Sequence, residues 1–167
     1  IRVFRKWFEA LPGFKKKFFE ETGLHKIIEF HANTLYEGAW EYYTARHPDR
    51  PITIRQCKRI NALAFTCLTK IDNSRGVRNR MTLQETTEIV NDPELPAETV
   101  GRVLNIFREE SNSFIRPYKT EELSTYVLSN GSVLDITHEA LIRNWNKLNQ
   151  WAVKEFEFYS TWLDFKK

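Results

Sequence analysis

Apolar residues in the second quarter of the chain return at helical spacing. Leu24, Ile27, Ile28, Leu35, Ala39 and Tyr42 predict one helix from Leu24 to Arg46. His47-Pro48-Asp49-Arg50-Pro51 ends it, because proline lacks a backbone donor and pushes the preceding residue out of the helical region. Two prolines in four residues make this the best domain boundary in the chain. Upstream, Val3 to Leu11 and Phe14 to Glu21 read as short helices broken by Pro12-Gly13 and Gly23. Beyond the boundary, Ile54 to Thr69 is predicted helical with Ile60, Leu63, Ala64, Cys67 and Leu68 on one face. Asp72 to Arg80 is polar, contains Gly76 and reads as a loop. Thr82 is placed to cap a helix from Leu83 to Val90, with Glu85 completing a capping box. Asn91-Asp92-Pro93 is a turn. Pro96 to Glu110 is a further helix that buries Val100, Val103, Leu104 and Phe107.

The period then changes. Phe114 to Arg116 reads as a short strand. Tyr126 to Ser129 and Ser132 to Ile136 flank Asn130-Gly131, a pair that tolerates the positive φ a tight hairpin turn needs. Thr137 is the expected N-cap of a long last helix, with Leu141, Trp145, Leu148, Ala152, Phe156, Tyr159 and Leu163 stepping by three or four. The Phe156 to Phe165 stretch is so aromatic that, exposed, it would need a partner. The expected fold is mainly α with a small β-hairpin or sheet. It divides into a helical segment (1–50), a winged-helix domain (51–152) and a C-terminal connecting helix (153–167). Three helices followed by a hairpin is the winged-helix layout, a variant of the helix-turn-helix.

Composition narrows the class. The 167 residues are enough to bury a core, and 41% hydrophobic with 14% aromatic residues excludes a disordered chain. No run approaches the roughly 20 apolar residues a membrane span needs. The charged start shows no signal peptide, and its first residue, Ile1, suggests a chain cut from something longer. Net charge is +3, too little to argue for nucleic acid alone. Residues 1 to 26 hold seven Lys/Arg against three Glu. There, Lys15, Lys16 and Lys17 sit beside Phe14, Phe18 and Phe19. This reads as a helix whose Phe face packs on protein, ahead of a membrane-surface or nucleic-acid reading.

Little in the chain carries chemistry. A phosphate loop, a Gly-rich dinucleotide fingerprint, a zinc-protease helix and a nucleophile elbow are all missing. His25, His31, His47 and His138 lack metal-ligand spacing. Cys57 and Cys67, on one helix, would stand about 15 Å apart, beyond the about 7 Å a disulfide spans. They read as reduced core thiols of a cytosolic protein. Glu109-Glu110 and Glu121-Glu122 read as solvated surface. In the would-be recognition helix, Arg102 and Arg108 face Glu98, Glu109 and Glu110, with Asp92 and Glu94 just before. Phosphate neutralisation needs the opposite balance.

One segment is far more specific: Leu134-Asp135-Ile136-Thr137-His138-Glu139-Ala140-Leu141-Ile142-Arg143-Asn144-Trp145-Asn146-Lys147-Leu148-Asn149-Gln150-Trp151. It resembles the end of the winged-helix domain in bacterial STAND-type signalling P-loop NTPases (the novel STAND group), where a strand enters a His-Glu-Ala-Leu-Ile-Arg-x-Trp-x-x-Leu-x-x-Trp helix. Gln56 to Asp72 resembles the first winged-helix helix, Arg78-Asn79-Arg80 with Thr82 the basic link after it. Leu24 to Leu35, with His31-Ala32-Asn33, resembles the small helical domain upstream. The likeness covers most of residues 24 to 152.

The resemblance implies a regulatory winged helix that packs on an NTPase domain elsewhere in a cytoplasmic parent protein and helps hold its ADP-bound resting state. It implies His138 as a nucleotide sensor touching the ADP phosphate, with Thr137, Glu139 and Arg143 as supporting residues. Glu139 is also explained as a first-turn acid favoured by the helix dipole, and Trp145, Leu148 and Trp151 as core. The parent would use ADP/ATP with Mg. Its partners would be the intramolecular NTPase domain and C-terminal sensor repeats of WD or other type, with an oligomer in the activated state. This chain carries no Walker segment, so no catalytic residue, metal site or cofactor is expected in it. Two alternatives stand beside this reading: a DNA-binding winged-helix regulator and a purely structural interaction module.

Overall fold

A computed structural model describes residues 9–10, 13 and 23–166. The expected helices Val3 to Leu11 and Phe14 to Glu21 lie largely outside the described residues, as do the aromatic side chains of the Phe156 to Phe165 stretch. The fold is mainly helical with two small antiparallel sheets.

Helix α1 (Leu24–Arg46) has the bounds its apolar spacing predicts, and the His47 N–H closes it on the Tyr43 carbonyl at 2.9 Å. The proline segment does not lead away from it. The Tyr43 hydroxyl donates to the Arg50 carbonyl at 2.6 Å, and the Trp40 indole N–H to the Ile52 carbonyl at 2.8 Å. Helix α2 (Ile54–Cys67) starts in a complete capping box, with Thr53 and Gln56 exchanging side-chain and backbone bonds.

The polar stretch read as a loop is a hairpin. β1 (Thr69–Asp72) pairs with β2 (Arg75–Arg78) across Asn73 and Ser74, both at positive φ. The hairpin lies against the motif helix so closely that a Cβ on Gly76 would collide with Ile142 Cγ2. Here the glycine serves close packing rather than a turn.

β3 (Met81–Thr82) leads into α3 (Leu83–Val90). The Thr82 hydroxyl accepts from the Glu85 N–H, but the reciprocal half of a capping box is not formed there. The single helix expected over Pro96 to Glu110 is two, α4 (Ala97–Val103) and α5 (Asn105–Arg108), joined at Leu104. Val100, Val103, Leu104 and Phe107 are all fully buried nonetheless, so the break leaves the inward face intact.

β4 (Ile115–Arg116) and, after a helical turn α6 (Leu123–Tyr126), β5 (Val133–Ile136) complete the second sheet in the order β3-β5-β4. The expected hairpin arm Tyr126 to Ser129 is therefore not a strand. Asn130-Gly131 still turns the chain, with the Ser132 N–H on the Ser129 carbonyl at 3.0 Å. Both edges of β5 are occupied, however, by β3 and β4. The turn carbonyls of Asn130 and Ser132 instead accept from the first N–H groups of α3, those of Gln84 and Leu83.

The long last helix is also broken. α7 (Glu139–Asn144) begins after His138, not Thr137, and Trp145 adopts extended backbone before α8 (Asn146–Lys166). The Asn149 amide reaches back across the break to the Ile142 carbonyl at 2.6 Å. One apolar core runs from Ile28 to Leu148 and includes both sides of the proline segment. At its centre the Phe65 ring meets Phe107 and Trp145 edge-on, with centroids 4.8 and 5.0 Å apart.

Candidate functional site

The motif segment splits sharply between buried and open residues. Leu141, Trp145 and Leu148 are buried and Trp151 is partly so, as their spacing predicts. Trp145 is fully enclosed, and its indole N–H donates to Asn33 Oδ1 on α1 at 2.8 Å. Two of the stretches that carry the resemblance thus meet across the fold.

His138, Glu139 and Arg143 are exposed. His138 stands where β5 gives way to α7, in extended backbone, and its side chain makes no capping bond. Partial burial holds the imidazole below its usual pKa, and the charges of Arg116 and Arg78 lower it further. The ring is therefore neutral at pH 7, with one N–H to donate and one lone pair to accept. Glu139 lies in the first turn of α7 and Arg143 in its last. The structure does not bring Arg143 together with His138 by any ion pair or hydrogen bond.

Thr137 is not the expected cap. It is buried, its N–H donates to the Phe114 carbonyl at 3.0 Å, and its hydroxyl faces the Tyr118 hydroxyl at 3.4 Å. Its side chain thus supports the sheet end rather than α7.

Three residues before His138, Asp135 is buried in β5. Arg78 Nη1 and Arg80 Nε approach Asp135 Oδ2 at 3.5 and 3.4 Å. Arg78 also donates to the carbonyls of Ile136 and Thr137 at 3.4 and 3.5 Å. The second oxygen, Oδ1, is buried without a hydrogen-bond partner. Arg116 is the cross-strand neighbour of Asp135. The basic link therefore clamps the strand that delivers His138, with two arginines on one carboxylate oxygen. An acid between two apolar residues of a strand is the sequence signal that marks this position.

The would-be recognition helix offers little to a phosphate backbone. Arg102 is paired with Glu98 at 2.6 Å. Arg108 is fully buried and donates to the carbonyls of Pro117 and Thr125 and to Asn105 Oδ1. Burial raises the thiol pKa of Cys57 and Cys67 to about 11, so neither is a nucleophile at neutral pH. Both are free thiols. Among the described residues no cluster of ligating side chains suits a metal, and no helix is long and apolar enough to cross a membrane. No protein-family model, curated protein or solved structure matches the chain.

Proposed function

We propose that the chain is the regulatory helical and winged-helix part of an ATP/ADP-switched STAND-type signalling NTPase, a cytoplasmic bacterial protein. Its role is to pack on the NTPase domain and hold the resting state. The supporting observation is the division within the motif: Leu141, Trp145 and Leu148 build the core, whereas His138 stands open beside the charges of Arg78 and Arg116. A neutral imidazole in a positive field can donate one hydrogen bond to a phosphate oxygen. Helices α2, α3 and α4 ahead of β4 and β5, with sheet order β3-β5-β4 and the β1–β2 hairpin inserted after α2, support the winged-helix reading.

The chain's own contribution is one phosphate contact and a packing surface. Phosphate cradling, Mg binding and hydrolysis belong to the NTPase domain of the parent, and sensing belongs to its C-terminal repeats. ADP favours the resting state only so far as it binds that state more tightly. An oligomer follows in the activated parent.

The first test reads the coding region upstream of Ile1 for a phosphate loop and an acidic Walker B strand; a short upstream region without them overturns the reading. The second compares full-length wild type with His138→Ala. Faster ADP loss or higher basal signalling is expected; unchanged ADP retention with unchanged signalling removes the sensor role.

A further inference from the structure

A second feature lies apart from His138 and shares none of its residues. A cavity of about 350 Å³ opens between the C-terminal end of α1, helix α4 and the segment 119–128. Its volume falls at the small end of ligand-binding pockets. Arg46, Arg102 and Lys119 line it against a single carboxylate, Glu98, and Tyr126, Val127 and Leu128 supply an apolar wall.

The carboxylates at hand leave the cations in excess: Glu98 pairs with Arg102 and Glu109 with Lys119, against Arg46, Arg102 and Lys119. Glu98 is committed to Arg102 at 2.6 Å. Lys119 reaches Glu109 only at 3.6 Å and lies 4.8 Å above the Tyr126 ring. Among the described residues no carboxylate pairs with Arg46, whose guanidinium lies 3.5 Å above the centre of the Tyr42 ring. His47, also on the wall, registers the resulting field. Its pKa is lowered first by burial, then by Arg102, with Lys119 and Arg46 adding to this and Asp49 opposing it. Tyr126 and Val127 are both about half exposed, at 51% and 50%. An apolar wall left open beside a cluster of net positive charge, where Arg46 has no carboxylate partner among the described residues, matches a ligand with an apolar body and an anionic head.

The geometry points to this cavity as a binding site for a small organic anion, one carrying a phosphate or carboxylate group on an aromatic or aliphatic body. Arg46 and Lys119 hold the head group, and Tyr126 with Val127 covers the body. Arg102 stays with Glu98 and adds to the field. Buried Arg108, which ties Pro117 and Thr125 to α5, fixes the segment that carries Lys119 and Tyr126.

The test is an NMR titration of the 167-residue chain, following the His47 ring and the backbone signals of residues 119–128. The probes are phenyl phosphate, benzoate, inorganic phosphate and benzylamine. Saturable binding of phenyl phosphate or benzoate below about 1 mM is expected, and the tighter of the two assigns the head group. Arg46→Gln and Lys119→Gln should each weaken it at least tenfold. Arg46 is exposed, so its loss should spare the fold, and Lys154→Gln on α8 should leave binding unchanged. The proposal is overturned by any of three results. These are no saturable shift with either organic anion up to about 10 mM, equal binding of inorganic phosphate or benzylamine, and undiminished affinity in Arg46→Gln. None of these depends on whether the parent is an NTPase.

Discussion

The Trp145 junction and the Arg108 socket are both fully buried, yet different forces hold them. Trp145 is enclosed by rings, with Phe65, Trp151 and Tyr36 at 5.0, 5.5 and 6.2 Å, and makes one neutral hydrogen bond to Asn33. Arg108 is a buried cation satisfied by three neutral acceptors. Burial lowers its pKa to about 10, so it remains charged at neutral pH. Helix α1 touches both regions through residues two apart: Asn33 reaches Trp145, and His31 reaches Asn112, which in turn donates to the Ile106 carbonyl. Ring packing scales with the area removed from water and tolerates small shifts. A buried guanidinium needs its acceptors in place, because each lost bond leaves a desolvated polar group. The first region should therefore set global stability and the second the position of the 117–126 segment.

The largest effect expected is that of Trp145→Ala. Emptying a fully enclosed indole site should cost about 3–5 kcal/mol in urea unfolding, lowering the whole transition. If the loss is under about 1 kcal/mol, the junction is not the centre of the core.

His31 separates the regions by pH. It is buried, and desolvation lowers its pKa to about 4 against the pull of its bond to Asn112. The unfolded chain, with an imidazole near 6.5, binds more protons between these values. Stability from this group is thus complete above pH 6.5 and falls as pH drops towards 4, by about 3 kcal/mol in all. Urea midpoints at pH 7.5 and 4.5 should show the loss, and His31→Gln should remove much of the difference. An equal slope in the variant would place the acid sensitivity elsewhere.

Arg108→Met tests the socket. The side chain keeps its bulk but leaves Pro117, Thr125 and Asn105 acceptors without a donor, a cost of about 2 kcal/mol. Hydrogen exchange should speed up selectively over residues 117–126, before the rest of the chain. Arg108→Lys should recover little, since an ammonium cannot fork to three acceptors in the guanidinium plane. Uniform loss of protection would erase the distinction between the two regions.

What the residues disclose in advance follows the same divide. Periodic burial is legible: α1 and the inward set Val100, Val103, Leu104 and Phe107 follow from spacing, because apolar area accumulates over many positions. The breaks at Leu104 and Trp145 are invisible to that spacing, since the steps of three and four continue through them. Asn130-Gly131 announces a turn but not its partner, because a strand's neighbours are chosen by the whole sheet and β5 has β3 and β4. The β1–β2 hairpin leaves little trace in the sequence because its strands are partly exposed, without apolar alternation, and Asn73-Ser74 is a weaker turn signal than Asn-Gly. At the candidate site, the motif singles out His138, and the resemblance singles out the basic link. Asp135 lies inside the motif, but its burial between arginines does not show in the motif, nor does the burial of Arg108 in its helix, since a buried charge depends on groups that distant segments bring to it.

The smallest effect is the most discriminating. Asn33→Ala removes the acceptor of the Trp145 indole N–H and leaves the ring packing untouched. A buried donor without an acceptor should cost about 1 kcal/mol, well below the loss from Trp145→Ala. The indole N–H resonance should move, and the unfolding transition should keep its slope. Should Asn33→Ala cost as much as Trp145→Ala, the junction would depend on a single polar bond, as the Arg108 socket depends on its acceptors. The two anchors would then be of one kind, and α1 would be latched to the motif by hydrogen bonding rather than by buried area.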